Sequence, residues 1–367
     1  MGAIHAAGTT THRVAGLDLL RGIAVGLVLL RHAFPTAFPG AGVVGVVMFF
    51  ALSGWLITGL LHDELTRTGR VDLRAFYLRR ARRLVPALLA LVLGVVVVTL
   101  ALDPLGDRDQ LRDTVLVALT WTADLPIGDP SDATFHLWTL AVEEQFYLVW
   151  PLAVLLMWRR PRLLVVLAGT ACLVACVATV LWLRDAPDAA YALPTSWAGC
   201  FVIGAAGRLL PLPALRASAR RRVAGVALAA LVALSVVPLR GHALTYLAGG
   251  PAIAILTMAA VHAWRDGQPI PAGDGGPARR RAPLTLLVAA GVWLGTVSYA
   301  AYLWNYPLTM WLRPHLSDVG GVALAGPVAL ALTLLLAAAS DRWVERPWRS
   351  APTASSLPAP ALGRVGS

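Results

Sequence analysis

The chain has no lysine, only three cysteines and few charges of either sign. Charged residues fill 14 % of its 367 positions, well below the quarter usual in soluble domains, which excludes an ordinary water-facing globule. Without lysine, arginine carries all 31 basic side chains and the net charge of +11. A net charge of that size points to nucleic acid in a soluble protein. Here, however, the arginines fall in short clusters between apolar runs, without the interleaved aromatics that a base-stacking surface needs. A nucleic-acid partner is therefore not predicted. Cys172, Cys176 and Cys200 all sit in apolar segments. Cys172 and Cys176 share a helical face, yet no histidine or acid accompanies them, so they read as buried reduced thiols rather than metal ligands. No metal site and no permanently bound cofactor is predicted. The N-terminal MGAIHAAGTTTHRVAG has no apolar core, and the first apolar run holds an arginine and lacks a cleavage site, so it reads as a retained span. There is no GxSxG nucleophile elbow, no repeat of fixed period and no room for a second soluble domain.

What is abundant is apolar sequence. Hydrophobic residues make up 57 % of the chain and the mean hydropathy is +0.68. Runs of about twenty apolar residues recur from end to end, the length of a membrane-crossing helix. Ten spans are predicted, near 16–36, 42–61, 84–102, 139–157, 163–183, 193–210, 223–239, 243–263, 284–311 and 319–341. With the N-terminus in the cytoplasm, twenty-four arginines fall in inner segments and six in outer ones, leaving Arg21 within the first span. Arginine bias of that size sets both termini inside. The expected fold is thus all-α, a polytopic bundle of about ten transmembrane helices. Residues 1–15 form a cytoplasmic segment, 16–349 the membrane domain and 350–367 a disordered tail. The outer segment 103–138 carries seven aspartates, and its residues 109–125 suit a short surface helix. The Gly/Pro-rich segment 264–283 reads as flexible.

Four stretches carry groups suited to chemistry. In Leu17–Ser53, Arg21 and His32 lie eleven residues apart, about 16 Å and three turns along one helical face. Ionisable groups on one stripe of a membrane helix mark a polar path or site, unless Arg21 snorkels to the interface and His32 merely ends the helix. The second stretch, FHLWTLAVEEQFYLVWP, places His136, Glu143, Glu144, Gln145 and Tyr147 on the same side as His32. A carboxylate there would fix the tautomer of an imidazole acting as base, and it would equally suit a plain helix N-terminus. Adjacent glutamates point about 100° apart, so one faces a site and the other pairs elsewhere. Third, seven arginines between 67 and 83 fit the phosphates of a nucleotide-derived donor or anionic lipid headgroups alike. Fourth, Ser53 and Gly54 interrupt an apolar helix in SGWLIT. That reads as close helix packing, with Ser53 kept as a lesser candidate. The aromatic stretch 295–311, with Tyr299 and Asn305, and the Glu345 ion pair expected with Arg342 or Arg346 carry no chemistry on their own.

Taken in order, Arg21-x10-His32, FFALSGWLIT, FYLRRARRLVP, HLWTLAVEEQFYLVWP, SYAAYLWNYP and SDRWVERPWR resemble the bacterial membrane acyltransferase 3 family, which includes O-antigen, peptidoglycan and macrolide O-acyltransferases. The resemblance runs from the first span to the last. It implies transfer of an acyl group, usually acetyl, from cytoplasmic acyl-CoA to a hydroxyl on an extracytoplasmic or lipid-linked glycan or glycosylated small molecule. It further implies His32 as the essential histidine supported by Arg21, Arg79, Arg80 and Arg83 for the donor, and Trp138 and Glu143 at the acyl-transfer site. Relatives often carry His where this chain has Asn305. The soluble hydrolase-like domain of some relatives is also lacking, so the membrane domain is expected to complete transfer alone.

The expected function is therefore O-acyl transfer in the bacterial cytoplasmic membrane. His32, assisted by Glu143, either activates the acceptor hydroxyl for direct attack or briefly carries the acyl group itself, and Arg21, His136 and Trp138 are candidate oxyanion donors. His136, Trp138, Tyr147, Ser53, Tyr299 and Asn305 are candidates around the acyl and acceptor sites. The rival is a transporter or flippase moving a polar substrate without covalent chemistry, and a scaffold protein would leave the charged stripe without purpose.

Overall fold

The computed structural model describes residues 15–211, 213–264, 278–320 and 322–349. Among them every regular element is helical: α1 (Ala15–Ala33), α2 (Ala41–Thr68), α3 (Leu73–Ala101), α4 (Leu111–Thr120), α5 (Trp138–Met157), α6 (Pro161–Trp182), α7 (Pro194–Leu209), α8 (Ala217–Ser235), α9 (Gly250–Trp264), α10 (Ala278–Thr296), α11 (Ser298–Gly320), α12 (Val322–Ser340) and the single turn α13 (Arg346–Arg349). The segment 1–14, most of the expected flexible stretch 264–283 and the tail after Arg349 lie outside the described residues.

Among the described residues six helices are long and apolar enough to cross a membrane, or seven if one bent pair counts as a single span. The remaining expected spans fall short of that test for visible reasons. α1 holds Asp18, Arg21 and Arg31, α7 is only 16 residues long, and α8 begins with Arg220–Arg222. α1 tolerates its charges because it sits at the centre, with Leu20, Ala24, Val25 and Val28 buried against α2, α10, α11 and α12. The outward faces of α3, α5 and α6 instead expose leucine and valine, among them Leu93, Leu156 and Leu181, as surfaces solvated by hydrocarbon do.

One expected span is broken. Residues 284–311 form two helices, α10 and α11, bent by 82° at Val297. Gly295 lies just before the break. A Cβ there would fall 1.7 Å from the Asp18 carbonyl oxygen, so α10 presses directly on the backbone of α1. The break turns Ser298 and Tyr299 toward the interior. Irregular backbone at this depth is tolerated only where it is buried in protein or lines a cavity.

α2 organises the rest. It is buried on most sides and packs against α1, α5, α7, α8 and α9. Its crossing with α7 is a backbone-to-backbone contact. A Cβ on Gly54 would lie 2.0 Å from the Phe201 oxygen, and one on Gly204 would lie 2.0 Å from the Ala51 oxygen. The expected packing role of Gly54 thus has a reciprocal partner. α2 ends at Gly69 in the left-handed region (φ 73°), and Asp72 then caps α3 by accepting from the Ala75 amide. From there α3 packs its arginine-rich start against the Asp341–Arg349 segment, and Tyr77 reaches the Tyr147 and Leu148 carbonyls of α5. The expected surface helix in 109–125 is α4, packed on α3.

Candidate active site

Three adjoining cavities run through the bundle. A vestibule of about 750 Å3 opens at the arginine-rich end, lined by Asp18, Arg21, Arg83, Arg208, Glu345 and Arg349 among others. A central cavity of about 180 Å3 follows, sharing Arg21, Arg83 and Tyr299 with the vestibule and adding Ser53, Arg80, Glu143, Tyr147 and Ser298. A third, of about 160 Å3, holds His32 with His136, Trp138, Tyr306, Arg31, Arg240 and Arg313. The central and histidine cavities share only Val46, Thr139 and Tyr302. Tyr302 and Thr139 bond to one another at 2.6 Å, and the Tyr302 hydroxyl reaches the His136 carbonyl at 3.0 Å. This pair forms the partition between the two.

His32 is held in one tautomer by a chain of hydrogen bonds. The Thr333 hydroxyl donates to the Ala329 carbonyl (2.6 Å) and so accepts from Asn305 Nδ2 (3.2 Å). The amide oxygen of Asn305 is thereby turned to His32 Nδ1 at 2.6 Å. An amide oxygen only accepts, so Nδ1 carries the proton and Nε2 keeps a bare lone pair. The Tyr306 ring meets His32 edge-on at 4.9 Å, and Arg313 donates to the His32 carbonyl at 3.1 Å. The expectation that a carboxylate orients this imidazole is corrected. Asn305, the sole asparagine in the sequence, occupies that position. Where the departure from relatives left its role open, the geometry assigns it.

Glu143 faces the central cavity, where Ser53 Oγ and the Tyr147 hydroxyl both donate to its Oε1. Trp138 lies beyond the partition in the histidine cavity, buried edge-on to Tyr191 at 5.1 Å. The two residues expected together at one acyl site therefore line different cavities. Glu144 turns away from Glu143 and pairs with Arg80 at 3.6 Å. The Arg80 guanidinium lies 3.3 Å from the centre of the Tyr147 ring, and its Nε is buried without a hydrogen-bond partner. Arg83 opens onto both the central cavity and the vestibule. Arg79, grouped with them from sequence, is exposed and lines none of the three cavities. One residue of helical rotation separates it from Arg80. Arg21 donates to Ser298 Oγ at 3.2 Å on the central side of the partition, about 16 Å along the helix from His32. Arg21 therefore does not touch His32. Tyr299 donates to the Leu84 carbonyl at 3.2 Å, tying α11 to α3 beside Arg80.

His136 is 3 % exposed, and its Nε2 is 3.0 Å from the Leu303 carbonyl. That nitrogen therefore donates, and Nδ1 is left buried without a partner. Its free nitrogen accepts, so the expected oxyanion-donor role is corrected. Glu345 is also reassigned: it pairs with Arg349 at 2.6 Å, while Asp341 takes Arg346 and Arg349 at 2.8 Å each. A π-helical turn over Asp341–Glu345 rotates both acids inward. Among the described residues no group of histidines, cysteines and acids suits a metal ion, and the three cysteines are free.

Sequence reasoning missed Thr139, Tyr302 and Tyr306 as lining residues, because aromatics near span ends read as interfacial belts. It also missed Arg240 and Arg313, and gave Arg31, a neighbour of His32 in the first stretch, no role. Their signal was present: they are three of the six arginines on the side where arginine is scarce.

An all-helical bundle with leucine and valine on its outer faces, holding a tautomer-locked histidine beside an arginine-lined cavity, has the make-up of a membrane protein with an internal polar site. A family model described as an acyltransferase domain matches residues 14–342. The chain belongs to this acyltransferase family, the one its motifs resemble. It is 28 % identical over 360 residues to the peptidoglycan O-acetyltransferase OatA of Listeria monocytogenes, covering 92 % of this chain and 56 % of that protein. To the O-acetyltransferase OatA of Staphylococcus aureus it is 37 % identical over 153 residues, 40 % of this chain and 25 % of that one. The chain thus spans about half the length, or less, of these curated relatives. No solved structure matches it.

Proposed function

We propose that this protein is a bacterial cytoplasmic-membrane O-acyltransferase. It takes an acyl group, acetyl by analogy with its relatives, from cytoplasmic acyl-CoA to a hydroxyl of an extracytoplasmic or lipid-linked glycan or glycosylated metabolite. The observation that carries this is His32 Nε2, bare by virtue of the Asn305 lock, in a cavity adjoining one lined by Arg80 and Arg83. In this reading the ten spans cross the membrane with both termini in the cytoplasm, so the vestibule faces inward. The arginine bias of the connecting segments supports that orientation.

The donor's phosphates engage Arg83 and the vestibule arginines, whose forks suit phosphate oxygens. The thioester arm extends into the central cavity beside Arg80 Nε, the donor left without a partner. Passage to His32 requires the Thr139–Tyr302 pair to part. His32 then takes the proton of the acceptor hydroxyl as it attacks the thioester carbonyl, and returns it to the departing thiolate. Asn305 holds the ring but carries no charge, so unlike a carboxylate it adds no ion-pair stabilisation to the imidazolium.

The test is transfer of labelled acetyl from acetyl-CoA by proteoliposomes holding the full chain. His32→Ala is expected to lower it at least a hundredfold while leaving the thermal unfolding midpoint within a few degrees. Near-normal transfer in that variant overturns the assignment. A transporter, in contrast, would move substrate without consuming acetyl-CoA.

A further inference from the structure

The histidine cavity is positively charged beyond anything proton transfer needs. Arg31, Arg240 and Arg313 line it, and no acid is among its lining residues. Only one of the three has an acid of its own. Arg240 is held in a two-point contact by Asp188 at 2.8 and 2.9 Å, with its guanidinium 4.6 Å from the Tyr191 ring. The same contact holds the Asp188 carboxyl below the usual carboxylate range. Arg313 is bonded to the His32 carbonyl, a neutral group. Arg31 has no ion pair or hydrogen bond among the described residues, and its stem packs against Gly42. Two half-buried guanidiniums facing one small cavity repel each other and are costly to hold without a counter-charge. They also lie on the side of the bundle where arginine is otherwise rare, so orientation does not explain them.

His32, with Nε2 bare, and His136, with Nδ1 buried and unpartnered, both line this cavity, and both rings pack on Tyr306. His136 Nδ1 is the more telling, since a buried acceptor without a donor is itself destabilising. The complement of this lining is a molecule with hydroxyl donors and an acid group close together. At about 160 Å3 the cavity is smaller than the ~300–1,000 Å3 of sites that enclose whole ligands, so it receives one end of the acceptor.

We infer that the acceptor is an anionic sugar: a carboxylate or phosphate on the terminal residue is bound by Arg31 and Arg313 while a neighbouring hydroxyl, positioned by His136 Nδ1, is presented to His32. This deepens the proposed acyl transfer and rests on it for the role of His32. The acid oxygens form charge-assisted contacts with the guanidinium forks, and the hydroxyl satisfies the orphan nitrogen. Arg31, Arg313 and His136 are binding and positioning residues.

Binding is measured by titration calorimetry on the detergent-solubilised full chain carrying His32→Ala, with three probes: methyl β-N-acetylglucosaminide, N-acetylmuramic acid and N-acetylglucosamine-1-phosphate. At least one acid-bearing sugar is expected to bind tenfold or more tightly than the neutral one. The carboxylate and phosphate arms identify which acid the cavity accepts. Arg31→Gln or Arg313→Gln is expected to collapse that ratio toward one, and Arg31→Lys to keep most of it, whereas a merely structural role would weaken all three probes together. Equal binding of the three, or a ratio unmoved by Arg31→Gln, overturns the inference. Transfer by the wild-type chain is assayed alongside. His32-dependent transfer with no acid preference sinks only the anionic acceptor, and acid-selective binding without any His32-dependent transfer sinks the proposed reaction instead.

Discussion

A single amide decides what His32 is able to do. Asn305 supplies an acceptor for Nδ1–H and is itself oriented by Thr333, so its loss frees the ring to adopt the wrong tautomer. Asn305→Leu is expected to lower kcat for acyl transfer by about a hundredfold with little change in KM, since the lost contact touches neither substrate. Asn305→Asp keeps an acceptor in place and is expected to stay within about tenfold of wild type; steady-state kinetics in proteoliposomes separate the two variants. The arginines of α3 separate in the same way. Arg83→Ala is expected to raise KM for acetyl-CoA at least tenfold, because it removes a guanidinium from the shared mouth of vestibule and central cavity. Arg79→Ala, on the outside of the helix, should leave it within about twofold. Residue types alone placed Arg79, Arg80 and Arg83 in one cluster, and a helix turns 100° between neighbours, so the cluster faces two ways.

At the scale of elements, small residues set how closely backbones approach, and that spacing makes the cavities. α2 and α7 touch at Gly54 and Gly204 with carbonyl oxygens where a side chain would be. Gly204→Val is expected to destabilise the bundle by about 1–3 kcal/mol or more, as overpacking does, seen as a lower unfolding midpoint in detergent. Gly225 on α8 has nothing within 4 Å of a built Cβ, so Gly225→Ala is expected to be neutral or to stabilise by up to ~1 kcal/mol. The SGWLIT motif made close packing legible, but not its partner, because Gly204 lies 150 residues further along. The break at Val297 was invisible for a related reason. Apolar runs read as continuous helices, while the bend falls where α10 packs through Gly295 on the backbone of α1, a contact between distant segments.

For the whole molecule, the arrangement of arginines makes a topological prediction. With the vestibule inward, Arg70→Cys between α2 and α3 lies in the cytoplasm and His242→Cys between α8 and α9 lies outside. A membrane-impermeant maleimide added to intact cells is expected to label the second and not the first, and the reverse pattern would invert the path. Composition and periodicity by themselves determined that the chain is a bundle of apolar helices with a charged stripe on α1, since hydrocarbon solvation and helical spacing are local requirements written residue by residue. Motif order likewise marked His32, Arg80 and Glu143 as groups of interest. Only the tertiary structure decided that His32 answers to Asn305 rather than Glu143, that Thr139 and Tyr302 stand between two cavities, and that Arg31 and Arg313 converge on one of them. Those contacts join α1 to α11 and α5 to α11 across up to about 280 positions. Which side chains meet at such separations is set by how whole helices pack, and no local pattern encodes it.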